Sequence, residues 1–365
     1  MKDNQHKVLG KREHVRQHVL DLISRQTAVG SRVKSEDEIS KELGVSRSTV
    51  HGVLSEFARK GIVSRRPRAG TILRNPNHEL LQQKSVDASR VLAFVALFPK
   101  DATFGSPMLE GADSSVNHSK FLLIYKQIFY PGDEKTECTE IEKVSRLSDG
   151  MILYSSMRPT VLRLLRQLQK RNYPLVHIDH HPTEGASNCV CTDNEGGVTR
   201  LMKHLMDLGH RRIAMISGNS KSGWSSQIAR ESAYVRAMQT AGLPPCLLHK
   251  NQDNLDGMID KLLKSTSTTP TAIVTLHDNI ALEVYAVLKA RGLRVPKDIS
   301  LAGFNDDPVA ASCDVPLTTI RQDQSSMGAR AAELLQDMVC GHLHDNTKIF
   351  VPAELVVRQS TAQIK

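Results

Sequence analysis

Polar and basic side chains cluster at two places near the N-terminus where they could contact nucleic acid. The run Ser46–His51 begins a predicted helix, from which Arg47 could reach a guanine edge with two hydrogen bonds. A second cluster lies between two short apolar runs, where arginines favour phosphates or the minor groove. The residues predicted to contact DNA are Lys34, Ser35, Ser46, Arg47, Ser48, Thr49, His51, Arg65, Arg66, Arg68 and Gly70.

The surrounding elements explain how these side chains would be positioned. Ser35 stands three residues before Glu38, which predicts a capping box and a helix that stops at Gly44. Ser46 caps a second helix, whose apolar side is Val50, Val53, Leu54 and Phe57. Two short helices separated by one glycine-containing turn predict a helix-turn-helix, and the strand–turn–strand pattern over 62–73 predicts a wing.

The net charge supports the same interpretation. The chain has 365 residues and a formal charge of +9. Residues 1–84 contain 17 Lys and Arg against 9 Asp and Glu, whereas the remainder is nearly balanced at 31 against 30. A small basic head on a neutral body predicts a polyanion-binding domain joined to a domain with another task. The alternative is a basic solvated face with no partner.

The head resembles the GntR family of winged-helix regulators over about residues 10–75. The resemblance rests on the string from Ser35 to Val50, on Gly61-Ile62 and on Gly70-Thr71. It implies DNA contacts from Arg47, Thr49, residue 51 and the wing around Gly70. This chain has His51 where the family usually has Arg, and Arg68-Ala69-Gly70 where Gly-x-Gly is usual. Both departures suggest a different base preference; a head used only for protein contacts is the alternative.

After a polar linker at 76–90, the chain alternates apolar strands with amphipathic helices. This alternation predicts an α/β fold with parallel sheets covered on both faces. The predicted strands are Val91–Phe98, Phe121–Gln127, Gly150–Tyr154, Leu175–Asp179, Arg212–Ser217, Ala272–Leu276 and Ile299–Phe304. The predicted helices are 106–118, 159–172, 195–208, 228–241, 254–265, 279–291 and 325–340.

The body resembles the effector domain of the LacI/GalR family, itself similar to periplasmic sugar-binding proteins. The matching strings include Val190–Gly197, His204–Ala214, Val295–Asp306 and Pro316–Ile320. The resemblance implies two lobes of doubly wound parallel sheet, three crossovers and a ligand in the cleft between them. We place the domains at 1–75 and 91–365, with a first lobe at about 91–193 plus 320–342 and a second at about 194–319 plus 343–365.

In doubly wound sheets, ligands bind beyond the carboxyl ends of the strands. Residues there include carboxylates, amides, an arginine and aromatics, a set that suits a polyol. The family usually has Asn at 277 and Asp at 305, where this chain has His and Asn. Trp224 could cover the cleft or lie in a surface loop. The residues predicted to bind ligand are Lys100, Phe104, Ser155, Asp179, His180, Trp224, Arg230, His277, Asp278, Asn305, Asp306, Gln322 and Asp323.

Several other functions are disfavoured by the sequence. Gly218–Gly223 has the glycine spacing of a phosphate-binding loop, but Trp224 follows where Lys is required. His177, His180 and His181 near Cys189 and Cys191 fit no common zinc spacing, so we expect no metal and no cofactor. Because no nucleophile elbow or acid–base pair is visible, we expect no enzyme. The six cysteines form no C-x-x-C pair, which predicts free thiols in the reducing cytoplasm. The sequence has no long apolar run, and its first ten residues are polar and basic, so we expect no membrane span and no signal peptide.

A GntR-type head on a LacI-type body is an uncommon combination that resembles arabinose-responsive repressors of the AraR type. The resemblance implies a homodimer on a double-stranded DNA operator, released when a small sugar, L-arabinose or similar, closes the cleft. Sequence does not fix the sign of this coupling, so a ligand-dependent activator is the alternative. A sugar-binding transport protein or a sugar-modifying enzyme fits the sequence less well.

Overall fold

The chain forms two compact units, Met1–Ser89 and Arg90–Lys365. The computed structural model describes residues 15–16, 18–20, 22–23, 30–66, 70–75, 90–99, 105–130, 133–219, 223–250, 255–264, 269–342, 344 and 346–364. Four predicted site positions fall outside this description: Arg68, Lys100, Phe104 and the side chain of Arg66. Among the described residues, no helix is both long and apolar enough to span a bilayer.

The first unit is a winged helix-turn-helix. Its helices are Glu36–Leu43 and Arg47–Arg59, preceded by helical residues within 15–23. Both local signals in the sequence are present: Ser35 and Glu38 form the capping box, and Gly44 ends the helix with φ 59°. An antiparallel sheet in the order Arg32–Val33, Gly70–Leu73, Val63–Arg66 forms the wing. The apolar faces of the helices and the wing share one core.

The second unit contains two separate hydrophobic cores, each built on a parallel sheet, which we call the first and second lobes. The first-lobe sheet has six strands, in the order Lys348–Val351, Asn188–Thr192, Leu175–Ile178, Gly150–Tyr154, Arg90–Pro99 and Phe121–Tyr130. The second-lobe sheet has four, in the order Cys246–His249, Ile213–Ser217, Ala272–Thr275 and Ser300–Ala302. The expected α/β class is therefore confirmed.

Helices cover both sheets. The first-lobe helices are Ser106–Ser115, Glu134–Leu147, Pro159–Lys170 and Gln324–Val339. The second-lobe helices are Asn194–Asp207, Ser225–Thr240, Leu255–Leu263, Asp278–Ala290 and Pro308–Ser312. The helix Glu134–Leu147 was not predicted, nor were the strands Asn188–Thr192, Cys246–His249 and Lys348–Val351.

The chain passes between the lobes three times. It leaves the first lobe after Thr192, returns through Thr319–Gln322, and leaves again between Val351 and Ala353. Thr319–Gln322 pairs antiparallel with Ala353–Val356, which joins the last two crossovers in a two-stranded sheet. The expected boundary at 342/343 was wrong, because Lys348–Val351 pairs in parallel with Asn188–Thr192 in the first lobe.

Candidate DNA-binding surface and ligand cleft

The recognition helix, Arg47–Arg59, presents its predicted contact residues at its N-terminal end. Ser46 accepts a hydrogen bond from the backbone N–H of Thr49 and so caps the helix. Its hydroxyl also lies 2.9 Å from that of Ser48 and 2.7 Å from that of Thr49. The side chains of Arg47 and His51 are 66% and 58% exposed, so both are available to a DNA groove.

Glu36, on the preceding helix, orders the cations of this surface. Its carboxylate lies 3.4 Å from Nε of Arg47 and 3.0 Å from Nδ1 of His51, and it also accepts a hydrogen bond from Arg65 on the wing. One acidic side chain thus holds a helix residue and a wing residue in a fixed arrangement. Glu36 was not among the predicted DNA-binding residues, although it directly follows the predicted cap Ser35.

Lys34 and Ser35 are engaged within the head. Lys34 forms an ion pair with Glu42, and the Ser35 hydroxyl donates to Glu38 at 2.7 Å. Gly70 has φ 80°, the left-handed conformation that a turn entering a strand requires. The structure therefore assigns Ser35 a capping role beside any contact to phosphate.

In the second unit, the predicted ligand residues lie beyond the carboxyl ends of strands of both lobes. Ser155, Asp179 and His180 follow first-lobe strands, while His277 and Asn305 follow second-lobe strands. Asp179, Asn305 and Asp306 have φ values of 69°, 115° and 60°. Non-glycine residues rarely adopt these values, and such strain concentrates at functional sites.

Arg230 provides a buried positive charge to this cleft. It is 5% exposed, and its guanidinium donates to Asn194 Oδ1 at 2.7 Å and to the Leu276 carbonyl at 2.8 Å. The guanidinium carbon lies 3.7 Å from the ring centre of Phe304. Burial lowers the pKa of Arg230 to about 10, while Asp179 and Asp278 oppose this shift. The side chain therefore stays protonated at neutral pH.

Aromatic rings form one wall of the cleft. The ring of His180 stacks on Trp224 at 5.4 Å and 23°, and Tyr154 meets the His180 ring edge-on at 4.5 Å. Because His180 belongs to the first lobe and Trp224 to the second, this stack bridges the lobes. Ser225 accepts a hydrogen bond from the backbone N–H of His181 at 2.9 Å, beside the stack. Trp224 thus lies at the cleft and not in a remote surface loop.

Three polar atoms of the predicted ligand residues are buried without a hydrogen-bond partner among the described residues. They are Ser155 Oγ, Asp179 Oδ1 and His277 Nδ1. Burial, followed by the charges of Arg230 and Lys250, lowers the pKa of His277 to about 4, so this imidazole is neutral. Unpaired buried polar groups cost about 1–3 kcal/mol each, so a ligand that supplies partners would be bound favourably.

Three predicted ligand carboxylates are instead occupied by internal partners. Asp278 accepts from Thr319 Oγ1 at 2.6 Å and from the Asp307 backbone at 2.8 Å. Arg321 and Arg358 donate to Asp306 at 2.7 and 2.6 Å. Asp323 caps the helix Gln324–Val339. The structure therefore gives these three carboxylates positioning roles within the protein.

A hydrogen-bonded chain connects two crossovers to Arg230. Thr192 Oγ1 donates to Gln322 Oε1, and Gln322 Nε2 donates to Asn305 Oδ1, both at 2.6 Å. Arg230 donates to the same Asn305 oxygen at 3.4 Å. Thr192 and Asn194 were not among the predicted site residues, although both lie in the matching string Val190–Gly197. A ligand that contacts Arg230 or Asn305 would therefore be linked to both crossovers through this chain of hydrogen bonds.

Two protein families match the two units. The pattern of bacterial regulatory proteins of the gntR family matches residues 11–73, and that of the periplasmic binding protein-like domain matches residues 202–361. The chain carries a GntR-type winged helix-turn-helix and a periplasmic-binding-protein-like domain.

Curated relatives share both units. The arabinose metabolism transcriptional repressor of Geobacillus stearothermophilus is 28% identical over 98% of this chain and 99% of its own length. The repressor of the same name from Halalkalibacterium halodurans is 27% identical over 92% of each chain. The chain is a transcriptional regulator. Both of these relatives are named as transcriptional repressors.

Solved structures share the fold of the regulator. A Lac repressor dimer bound to operator and the anti-inducer ONPF has a TM-score of 0.64 at 20% identity, covering 79% of this chain and 99% of that one. A LacI family regulator from Enterococcus faecium with bound ribose has a TM-score of 0.61 at 24% identity, covering 74% and 100%.

Proposed function

We propose that the regulator is a repressor that leaves its DNA operator when a small sugar, L-arabinose or a similar polyol, binds in the cleft. Two observations carry this proposal: the unpartnered polar atoms of Ser155, Asp179 and His277 at the strand ends, and the aromatic stack that bridges the lobes. Hydroxyl groups could pair with each of these atoms, and a sugar ring could pack its C–H face on the aromatic wall. The names of the arabinose repressors support the choice of L-arabinose.

The proposed ligand contacts come from both lobes. Ser155, Asp179 and His180 would contact the sugar from the first lobe, and Trp224, Arg230, His277 and Asn305 from the second. Gln322 would couple these contacts to the crossovers. A ligand that holds both lobes prefers one relative arrangement of them, and only such a difference in affinity can change DNA binding, with a typical coupling of about 1–3 kcal/mol.

We further propose that the regulator acts in the cytoplasm as a homodimer, with two heads on a pseudo-palindromic operator. An exposed apolar strand supports a second copy as the partner. Phe121–Tyr130 is an edge strand of the first-lobe sheet, and its Leu122, Tyr125 and Phe129 side chains are 52%, 45% and 52% exposed. Analytical ultracentrifugation of the Phe129→Asp variant beside the unaltered chain tests this surface. If the strand forms the dimer interface, the variant should contain more monomer than the unaltered chain.

The central test is fluorescence anisotropy on a duplex from the gene's own upstream region, at fixed salt because phosphate contacts make affinity salt-dependent. Tight binding that weakens with L-arabinose supports the repressor. Tight binding that requires the sugar would establish an activator of the same architecture. Binding indifferent to arabinose but weakened by another pentose would keep the mechanism and replace the ligand.

A further inference from the structure

One face of the first-lobe sheet collects thiols and imidazoles near its edge. Cys189 and Cys191 occupy alternate positions of the strand Asn188–Thr192, so both side chains lie on the same face. His177 pairs directly with Cys189 on the neighbouring strand and shares that face. His181 follows shortly after the end of that neighbouring strand.

Three of these side chains converge. One ring nitrogen of His181 and the sulfurs of Cys189 and Cys191 all lie within 4.8 Å of one another. Nδ1 of His181 lies 2.7 Å from the carbonyl oxygen of Pro182. When Nδ1 carries the proton and donates to this carbonyl, Nε2 is left with a free lone pair. Histidines that bind metals are typically oriented by such a hydrogen bond.

The cluster is protected yet reachable. Cys189 and Cys191 are 0% and 3% exposed, and His181 is half-buried. A cavity of about 510 Å³, lined by His181 and Cys191 among others, opens onto it. His177 is fully buried with neither ring nitrogen partnered among the described residues, which marks this face as unusually polar for a sheet interior.

We propose that His181, Cys189 and Cys191 bind a Zn²⁺ ion. Two thiolates and one neutral imidazole form a borderline-soft ligand set that zinc prefers over Mg²⁺ or Ca²⁺. Each thiol loses its proton to solvent as its sulfur bonds to the ion, so binding releases protons and strengthens as the pH rises. Zinc is usually four-coordinate, so a water molecule from the adjacent cavity could supply a fourth ligand. We expected no metal because the spacing fits no helical motif; here the ligands come from a strand and a loop.

Zinc binding is measured without sugar or DNA, so its failure can be distinguished from a failure of the sugar response. It is tested by titrating the reduced, untagged full chain with Zn²⁺ against a chromophoric chelator after metal removal, and with Co²⁺ by absorption. We expect one ion per chain and a sulfur-to-cobalt charge-transfer band. Cys191→Ala and His181→Ala should weaken binding by about 100-fold or more, whereas Cys340→Ser, which changes an exposed thiol elsewhere, should bind normally. Absence of tight binding by the unaltered chain would overturn the proposal.

Thermal unfolding of the same proteins gives a second readout. Because an ion that binds only the folded state stabilises it, Zn²⁺ should raise the midpoint of the unaltered chain and of Cys340→Ser, and Mg²⁺ should not. His181→Ala should show no zinc-dependent rise. Since His181 is only half-buried, this variant keeps the test valid even if the buried Cys191→Ala fails to fold. An equal rise in His181→Ala and the unaltered chain would place the ion elsewhere and refute the site.

Discussion

The two units use arginine in opposite surroundings. In the head, Arg47 is 66% exposed and is held by Glu36 and Asp37. In the body, Arg230 is buried, donates to three partners and stacks on Phe304. An exposed cation can exchange its ion pairs for DNA phosphates or bases at small cost. A buried one is a fixed part of its site, so its removal should affect ligand binding more severely.

We expect the largest effect from the buried carboxyl group of Asp278. Burial raises the pKa of this group to about 7. Since this pKa is above the ordinary value of 3.8, the folded state favours the protonated form. The contribution of Asp278 to the free energy of unfolding is therefore fully present below pH 4 and is lost as the pH rises toward 7. At about 1.4 kcal/mol per pH unit, the loss is on the order of 4 kcal/mol.

Asp278→Asn should therefore flatten the pH dependence. The free energy of unfolding, measured by urea denaturation at pH 4, 5.5 and 7, should fall less with pH than in the unaltered chain. Asp314→Asn, an exposed carboxylate paired with Lys289, is the control and should follow the unaltered profile over this range. Parallel profiles for Asp278→Asn and the unaltered chain would mean that Asp278 is ionised throughout.

Arg230→Ala should come next in size. Loss of the guanidinium removes the donor to Asn194 and to the Leu276 carbonyl and leaves Asn305 with Gln322 alone. We expect sugar affinity to fall by at least about 100-fold, or about 2.7 kcal/mol. Operator affinity without sugar should be unchanged. Arg236→Ala, on the same helix but 57% exposed, is the matched control. A normal sugar response of Arg230→Ala would remove this residue from the cleft.

Arg47→Ala should cost about 1–3 kcal/mol of operator binding if Arg47 reads a base, and it should relax preference at one position of the operator. Arg59→Ala, at the other end of the recognition helix, should change little. The measurement is anisotropy on operator and on a single-base variant. Equal losses on both duplexes would reassign Arg47 to phosphate contact.

The smallest effect is expected for Arg65→Ala on the wing. If Arg65 contacts a phosphate, its loss should weaken operator and unrelated DNA alike and reduce the slope of log affinity against log salt by about 1. A titration from 50 to 200 mM salt measures that slope. If Arg65→Ala weakened binding to the operator only, and the slope of log affinity against log salt stayed unchanged, the assignment of Arg65 to a phosphate contact would be wrong.

Local signals allowed most of the fold to be predicted. Ser35, Gly44 and Ser46 placed the helices of the head because caps act within one turn of chain. The body's central strands were found from their apolar runs. The helix Glu134–Leu147 escaped because charged residues obscure its narrow apolar face and because Glu137 on it is buried. Glu137 accepts hydrogen bonds from the backbone and hydroxyl of Ser156 at 2.7 and 2.6 Å, a pairing that spacing cannot reveal.

The cleft was predicted in position but less well in detail. Asp179, His180, His277 and Asn305 follow strand ends as predicted, because the carboxyl edge of a parallel sheet is fixed by topology; their contact with a ligand stays a prediction. The carboxylate of Asp306 accepts a hydrogen bond from Arg358, which is 52 residues away in the chain. Such long-range partners decide whether a carboxylate is free for a ligand, and a single sequence gives no sign of them.

The third crossover has a consequence for the order in which this protein can be made. The first-lobe sheet begins at Arg90, yet its helix Gln324–Val339 and edge strand Lys348–Val351 follow the whole second-lobe sheet in the sequence. A nascent first lobe therefore waits on the ribosome with an open sheet edge and an uncovered apolar face while the second lobe is completed. The head, whose core lies within the first 73 residues, can fold long before. A chain interrupted late in translation would carry a competent DNA-binding head on a body unable to respond.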